Sequence, residues 1–331
     1  MLRTYFLAVW VCMTAPAQEP TLLVLLKGAS ALAFYTMEGQ LQATVPVGQH
    51  PHEMVVSPDG RFAYITDNGT MRIENPGRGG NTVSVVDIAA RKRVDTISTG
   101  RYRRPHGIAY DARRHYLAVT TEAPDQLLLI DARKRKVIAN FDPKGQTAHM
   151  VSFAPGKSGS EYAFVSNSGA NYLSVVQLTT GMTKTIPSGQ RPEGSLVSPD
   201  GKELYVSNRE SNTITIVDTE RQAVINTLPT GKGPVRLGIT PNGRTLVYAL
   251  MHEKAIGFAD METRREKARL HVEGVPISLS VSADGKYAFA SAEEQDTVYV
   301  IDVTGMKLIR KFQTAKGAGP DPAVLVMPGK E

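Results

Sequence analysis

The stretch SPDGKELYVSNRESNTITIVD, Ser198 to Asp218, holds most of one repeating unit of this chain. Ser198-Pro199-Asp200-Gly201 reads as a turn, because proline presets φ at its second position and Asp-Gly supports the reversal. Glu203 to Ser207 reads as a strand, Asn208 to Asn212 as a polar loop, and Thr213 to Val217 as a further strand. The turn returns as SPDG at Ser57 to Gly60, TPNG at Thr240 to Gly243 and SADG at Ser282 to Gly285. A period of about 40 residues built from strands and Gly/Pro turns predicts an all-β propeller with one four-stranded blade per repeat.

The aspartate that ends each third strand sets the register. It stands at Asp87, Asp131, Asp218, Asp260 and Asp302, with Thr36 and Gln177 in two degenerate copies. Successive marks lie 51, 44, 46, 41, 42 and 42 residues apart, which predicts seven blades. The long first interval holds an insertion, Asp67 to Gly80 (DNGTMRIENPGRGG). Thr21 to Leu26 has the look of a second strand and Ala323 to Met327 that of a first strand. One blade is therefore expected to be built from both termini, closing the ring and removing exposed sheet edges. The recurring aspartates are expected to form turns by accepting following amides, and the asparagines after the second strands to be structural as well.

The second strands carry YVSN at Tyr205 to Asn208, FVSN at Phe164 to Asn167 and YITD at Tyr64 to Asp67. With these motifs the chain after residue 20 resembles the YVTN β-propeller family. The resemblance implies the seven-bladed fold. It leaves function open, since propellers of this kind include surface-layer and binding proteins, and related ones include lactonases and haem d1 domains.

Residues 1–17 look like a secretory signal: Arg3, an apolar run from Phe6 to Met13, then Ala15-Pro16-Ala17. The run is too short for a membrane span, and Val11 before the single cysteine, Cys12, argues against lipidation. The expected mature protein is one propeller over residues 18–331, monomeric, periplasmic or secreted, without cysteine or tryptophan. Loss of Arg3 would lower the formal net charge from +6 to +5. The basic clusters Arg91 to Arg93, Arg133 to Lys136 and Arg264-Arg265 fall in outer hairpin turns, where solvated charge is ordinary.

Aligning the residue just before each first strand gives a ring at the mouth of the central channel: His52, His106, His149, Glu193, Val235, Ile277 and Pro322. Four blades in succession present titratable groups, and the next two present aliphatic ones. His52, His106 and His149 are candidate ligands for zinc, copper or iron, with Glu193 as a fourth ligand or general base. Arg104, Arg191 and Arg236 add planar donor forks suited to an anion on the same face. The insertion emerges there too, as a lid or partner-binding loop.

No catalytic signature is present: there is no G-x-S-x-G elbow, Walker loop, H-E-x-x-H helix or haem-attachment CxxCH. Nor is there a basic stripe interleaved with aromatics for nucleic acid. The expected function is a non-catalytic binding scaffold, taking a small anionic ligand or a protein segment at the mouth through His52, His106, His149, Glu193, Arg104, Arg191 and Arg236. The alternatives are a metal-assisted or lactonase-like hydrolase using the three histidines, and a cell-envelope interaction module using the rim and the insertion.

Overall fold

A computed structural model of the chain describes residues 19–75, 77–155 and 161–327. The expected signal segment, with Trp10 and Cys12, lies outside the described residues. Twenty-eight strands form seven four-stranded antiparallel sheets, and the only helical turn among the described residues is Glu293–Gln295. No helix is long and apolar enough to cross a membrane.

Blade 1 consists of Pro320–Val326, Thr21–Leu26, Ala31–Tyr35 and Leu41–Pro46, so both ends of the described chain share one sheet. Thr21 pairs with Val326 and Val24 with Ala323. The last strand starts three residues earlier than the sequence suggested. Blades 2 to 7 follow in chain order, opening with the strands Pro51–Val56, Arg103–Asp111, Ala148–Pro155, Pro192–Val197, Pro234–Ile239 and Ser278–Val281. These first strands touch their neighbours in sequence around the axis, and Pro320–Val326 touches Pro51–Val56 to complete the ring.

Second and third strands are buried on both faces because each blade is sandwiched between two others, which is why they read as apolar runs. Seven apolar clusters result, one at each blade-to-blade junction. Fourth strands are largely exposed at the rim, and Lys136–Phe141 and Arg265–His271 alternate between exposed and half-buried residues.

The turn motifs have a shared chemistry. The hydroxyls of Ser57, Ser198, Thr240 and Ser282 donate to Asp59, Asp200, Asn242 and Asp284 at 2.5–2.7 Å. They also accept the N–H that starts the next strand at 2.9–3.0 Å. The third-strand aspartates accept turn amides, as Asp87 does from Ala90 and Asp260 from Thr263. Their expected structural role is what the geometry displays.

One feature of the first strands positions the channel side chains. In blades 2 to 6 the register slips by one residue, so that His52-Glu53, His106-Gly107, His149-Met150, Glu193-Gly194 and Val235-Arg236 each oppose a single partner. The same slip in blade 1 falls at Asp321-Pro322. Such a bulge re-aims side chains that strict alternation would send to opposite faces. The hydroxyls of Thr66, Thr120 and Ser207, opposite three of these bulges, accept the N–H of Glu53, Gly107 and Gly194. They donate in turn to the carbonyls of His106, His149 and Val235 in the next blade. The third residue of the YVTN-like motif thus fastens the backbone of the next blade's ring residue. Glycine is required at Gly107 and Gly194, where a Cβ would come within 2.3 Å of the carbonyl oxygens of His149 and Val235.

Candidate functional site at the channel mouth

The bulges bring His52, His106, His149, Glu193 and Val235 to one cavity of about 360 Å³, which Ile277, just before the regular first strand of blade 7, also lines, as the sequence alignment anticipated. The place in blade 1 belongs to Asp321, not Pro322: the terminal strand is registered through Ala323 opposite Val24, which puts Asp321 where His52 stands in blade 2.

A second ring surrounds the first. It is formed by the residue just past each second strand, or in blade 3 by the equivalent residue within the longer strand Tyr116–Ala123: Lys27, Asn68, Glu122, Ser168, Arg209, Met251 and Glu293. Chemically matched neighbours sit within the blades. Lys27 Nζ lies 2.6 Å from Asp321, His106 Nδ1 lies 2.7 Å from Glu122, Arg209 lies 3.3 Å from Glu193, and in blade 6 both places are apolar, Val235 and Met251. Sequence reasoning missed Lys27, Glu122, Arg209, Glu293 and Asp321. The signal for the first four was available, since the alignment that found the inner ring applies equally to the position that follows each YVTN-like motif or its equivalent.

The three imidazoles form a cluster, His52 meeting His106 edge to face with ring centroids 4.6 Å apart and His106 meeting His149 at a tilt with centroids 3.9 Å apart. His52 donates from Nε2 to the Thr70 carbonyl at 2.7 Å, so its ring is committed to the insertion. Burial, then the charge of Lys27 and the neighbouring His106, hold His52 well below the ordinary histidine value. Burial, then His149 and Arg236, do the same to His106. Glu122 is pushed up by its own burial. The His106–Glu122 contact is therefore a buried pair that disfavours charge on either partner.

Glu193 behaves oppositely. Burial alone would raise its pKa, but His149, Arg209 and Arg236 outweigh that and hold it well below the usual carboxylate range. His149 Nε2 stands 2.8 Å from Glu193 Oε2, yet neither ring nitrogen of His149 has an aligned hydrogen-bond partner, although the residue is only 3% exposed. That combination is unusual, because buried polar atoms are nearly always satisfied.

The expected anion-binding arginines are already engaged. Arg236 Nε lies 3.0 Å from Glu53. Arg191 lies 3.1 Å from Glu193 and 2.9 Å from Glu74. Arg104 does not line the cavity: it lies 3.1 Å from Glu122 and donates to Thr70 Oγ1 and to the carbonyls of Arg72 and Ile73. Its role is to hold the insertion, which folds over the mouth. Arg72 pairs with Glu294 in blade 7, Glu74 pairs with Arg191 in blade 5, and Met71 and Ile73 line the cavity. With Val235, Met251, Val275 and Ile277 they form an apolar side opposite the histidines.

The family described as "Lactonase, 7-bladed beta-propeller" matches residues 139–277, a stretch that holds His149, Glu193, Val235 and Ile277. No curated protein matches the sequence. Among solved structures, a functionally unknown protein from Desulfotomaculum acetoxidans superposes with a TM-score of 0.76 at 14% identity, covering 93% of this chain and 99% of that one. Hydrazine synthase of Kuenenia stuttgartiensis superposes at 0.68 with 18% identity, covering 93% and 99%. Dihydro-heme d1 dehydrogenase NirN, in complex with DHE, superposes at 0.65 with 15% identity, covering 92% of this chain and 74% of that one. At these identities the likeness is one of fold: this chain is a seven-bladed β-propeller, matched over its middle blades by the lactonase propeller family.

Proposed function

We propose that this chain is an exported YVTN-type propeller that binds a small ligand at the channel mouth. The ligand would have a hydrogen-bonding end against His149 and its neighbours and an apolar end against Val235, Met251 and Ile277. The observation that carries this reading is His149: with Nε2 against Glu193, its buried Nδ1 has no hydrogen-bond partner, and the ring borders a cavity whose opposite wall is aliphatic. A cavity of about 360 Å³ suits a small molecule. Because each arginine here already faces a carboxylate, the polar end is better supplied by hydroxyl or carbonyl groups than by a strong anion.

Thermal-shift screening of small amphipathic alcohols, lactones and sugars against the full chain tests this. A genuine ligand raises the melting temperature of the wild type and loses that effect both in His149→Ala and in Ile277→Trp, which fills the apolar side. Compounds that shift all three proteins alike would refute the mouth as the site.

The match to the lactonase family over residues 139–277 favours a second reading, hydrolysis of a cyclic ester at the same mouth. Turnover of simple lactones by the wild type but not by His149→Ala would support it. Binding without turnover would leave the scaffold reading in place.

A further inference from the structure

We propose that His106, Glu122 and His149 form a zinc-type metal site at the channel mouth, with an open coordination position facing the cavity. The inference rests on the reading of the mouth as a ligand site and deepens it. Each of the three residues offers one ligand atom, and these atoms lie within 4.8 Å of one another. Their side chains are only 3–4% exposed. Neither ring nitrogen of His149 nor Oε2 of Glu122 makes an aligned hydrogen bond, although Glu193 stands beside His149 Nε2 and Arg104 beside Glu122 Oε2. With Nε2 directed at the Glu193 carboxylate, His149 keeps Nδ1 as a buried acceptor without a partner, close to the buried Glu122 carboxylate, and a cation would engage both.

The donor set is chemically apt. Two imidazoles and one glutamate are a set that catalytic zinc sites use, keeping a fourth position for water or substrate. Bonds of about 2.0–2.2 Å to a tetrahedral ion need ligand atoms roughly 3.4 Å apart, a contraction that side-chain rotation can supply. Glu193, 2.8 Å from His149 Nε2, is placed to orient that ring as an outer carboxylate. The third histidine of the cluster falls outside the set, because Thr70 engages His52 Nε2. Arg104 Nε, 3.1 Å from Glu122 Oε2, competes with the ion for that carboxylate. Affinity should therefore be moderate, with the ion removable by chelators.

The test uses the full chain stripped with chelator, then titrated calorimetrically with Zn²⁺ and followed by absorption with Co²⁺. One ion per chain is expected, with the intense visible bands of four-coordinate cobalt. Glu122→Gln, which keeps the shape of the side chain, and His149→Ala should each weaken binding by roughly 100-fold or more, whereas His52→Gln should keep one ion per chain. Circular dichroism checks that each variant is folded. Absence of stoichiometric binding, or wild-type affinity in folded Glu122→Gln, would overturn the site. Small-molecule binding measured on the chelated protein separates that failure from a failure of the mouth itself.

Discussion

Arg236 and Glu53 meet across the channel, with Nε and Nη2 of the guanidinium 3.0 and 2.5 Å from one carboxylate oxygen, although they come from blades 6 and 2. Both stand at the second position of a first-strand bulge, which turns them toward the axis beside the ring residues Val235 and His52. The pair ties together blades that share no apolar junction.

Removing one partner leaves the other charge buried without compensation, which typically costs about 3–5 kcal/mol. Glu53→Ala should therefore lower the urea midpoint far more than a rim ion pair would. The double variant Glu53→Met with Arg236→Met should recover most of the loss, since apolar packing often replaces a buried pair at little cost. A double variant no more stable than the single one would show that the pair's contribution is specific to its charge.

Asp67 predicts a pH effect of defined sign. Burial raises its pKa from 3.8 to about 6, against the hydrogen bonds from Thr82, Ser84 and the Gly48 amide. Between those two values the folded chain holds a proton that the unfolded chain has released. Its stabilising contribution is thus complete below about pH 4 and is lost as pH rises through 6. Asn167 and Asn208 fill the same place in blades 4 and 5 and donate to the facing hydroxyls of Ser174 and Thr215. Asp67→Asn should therefore stabilise the protein at pH 7 by up to about 3 kcal/mol and have little effect at pH 4. Equal effects in denaturant melts at both pH values would contradict this account.

The ring architecture was legible because turns, strand apolarity and the aspartate marks recur at short range in every blade. The inner ring was legible for the same reason, down to the aliphatic pair Val235 and Ile277. What escaped depends on register and on long-range pairing. A one-residue slip cannot be seen in residues alone, so Asp321 was displaced to Pro322 and Arg236 was read as an anion ligand instead of Glu53's partner. Likewise Arg104 is adjacent to His106 in sequence, but its guanidinium turns to carbonyls of the insertion, contacts between segments some 30 residues apart.

Arg104 should therefore control the insertion. Its three hydrogen bonds to Thr70, Arg72 and Ile73 hold residues 70–73 across the mouth, and charged hydrogen bonds contribute about 1.5–3 kcal/mol each when well formed. In Arg104→Ala, amide hydrogen exchange of a peptide covering residues 68–79 should accelerate at least tenfold, while peptides from blades 5 and 6 keep wild-type rates. Unchanged exchange in the insertion would assign its order to the ion pairs Arg72–Glu294 and Glu74–Arg191 instead.

Closure of the ring through blade 1 should dominate global stability. Leu23 is fully buried in the junction between blades 1 and 2, packed with Leu25, Leu32, Phe34, Met54 and Ile65. Leu23→Ala should cost about 2–5 kcal/mol through lost transfer energy and the cavity left behind. Leu308→Ala, on the fourth strand of blade 7 and 38% exposed, should cost less than about 1 kcal/mol by comparison. Ending the chain at Gly319 removes Pro320–Val326 and leaves the N–H and C=O groups of Thr21–Leu26 as a free edge on an apolar strand. Such an edge recruits further strands, so the truncated protein should self-associate in size-exclusion chromatography at concentrations where the full chain elutes as one species. A truncated chain that stayed monomeric and kept the full chain's melting temperature would mean that the six remaining blades hold the ring without its closing strand.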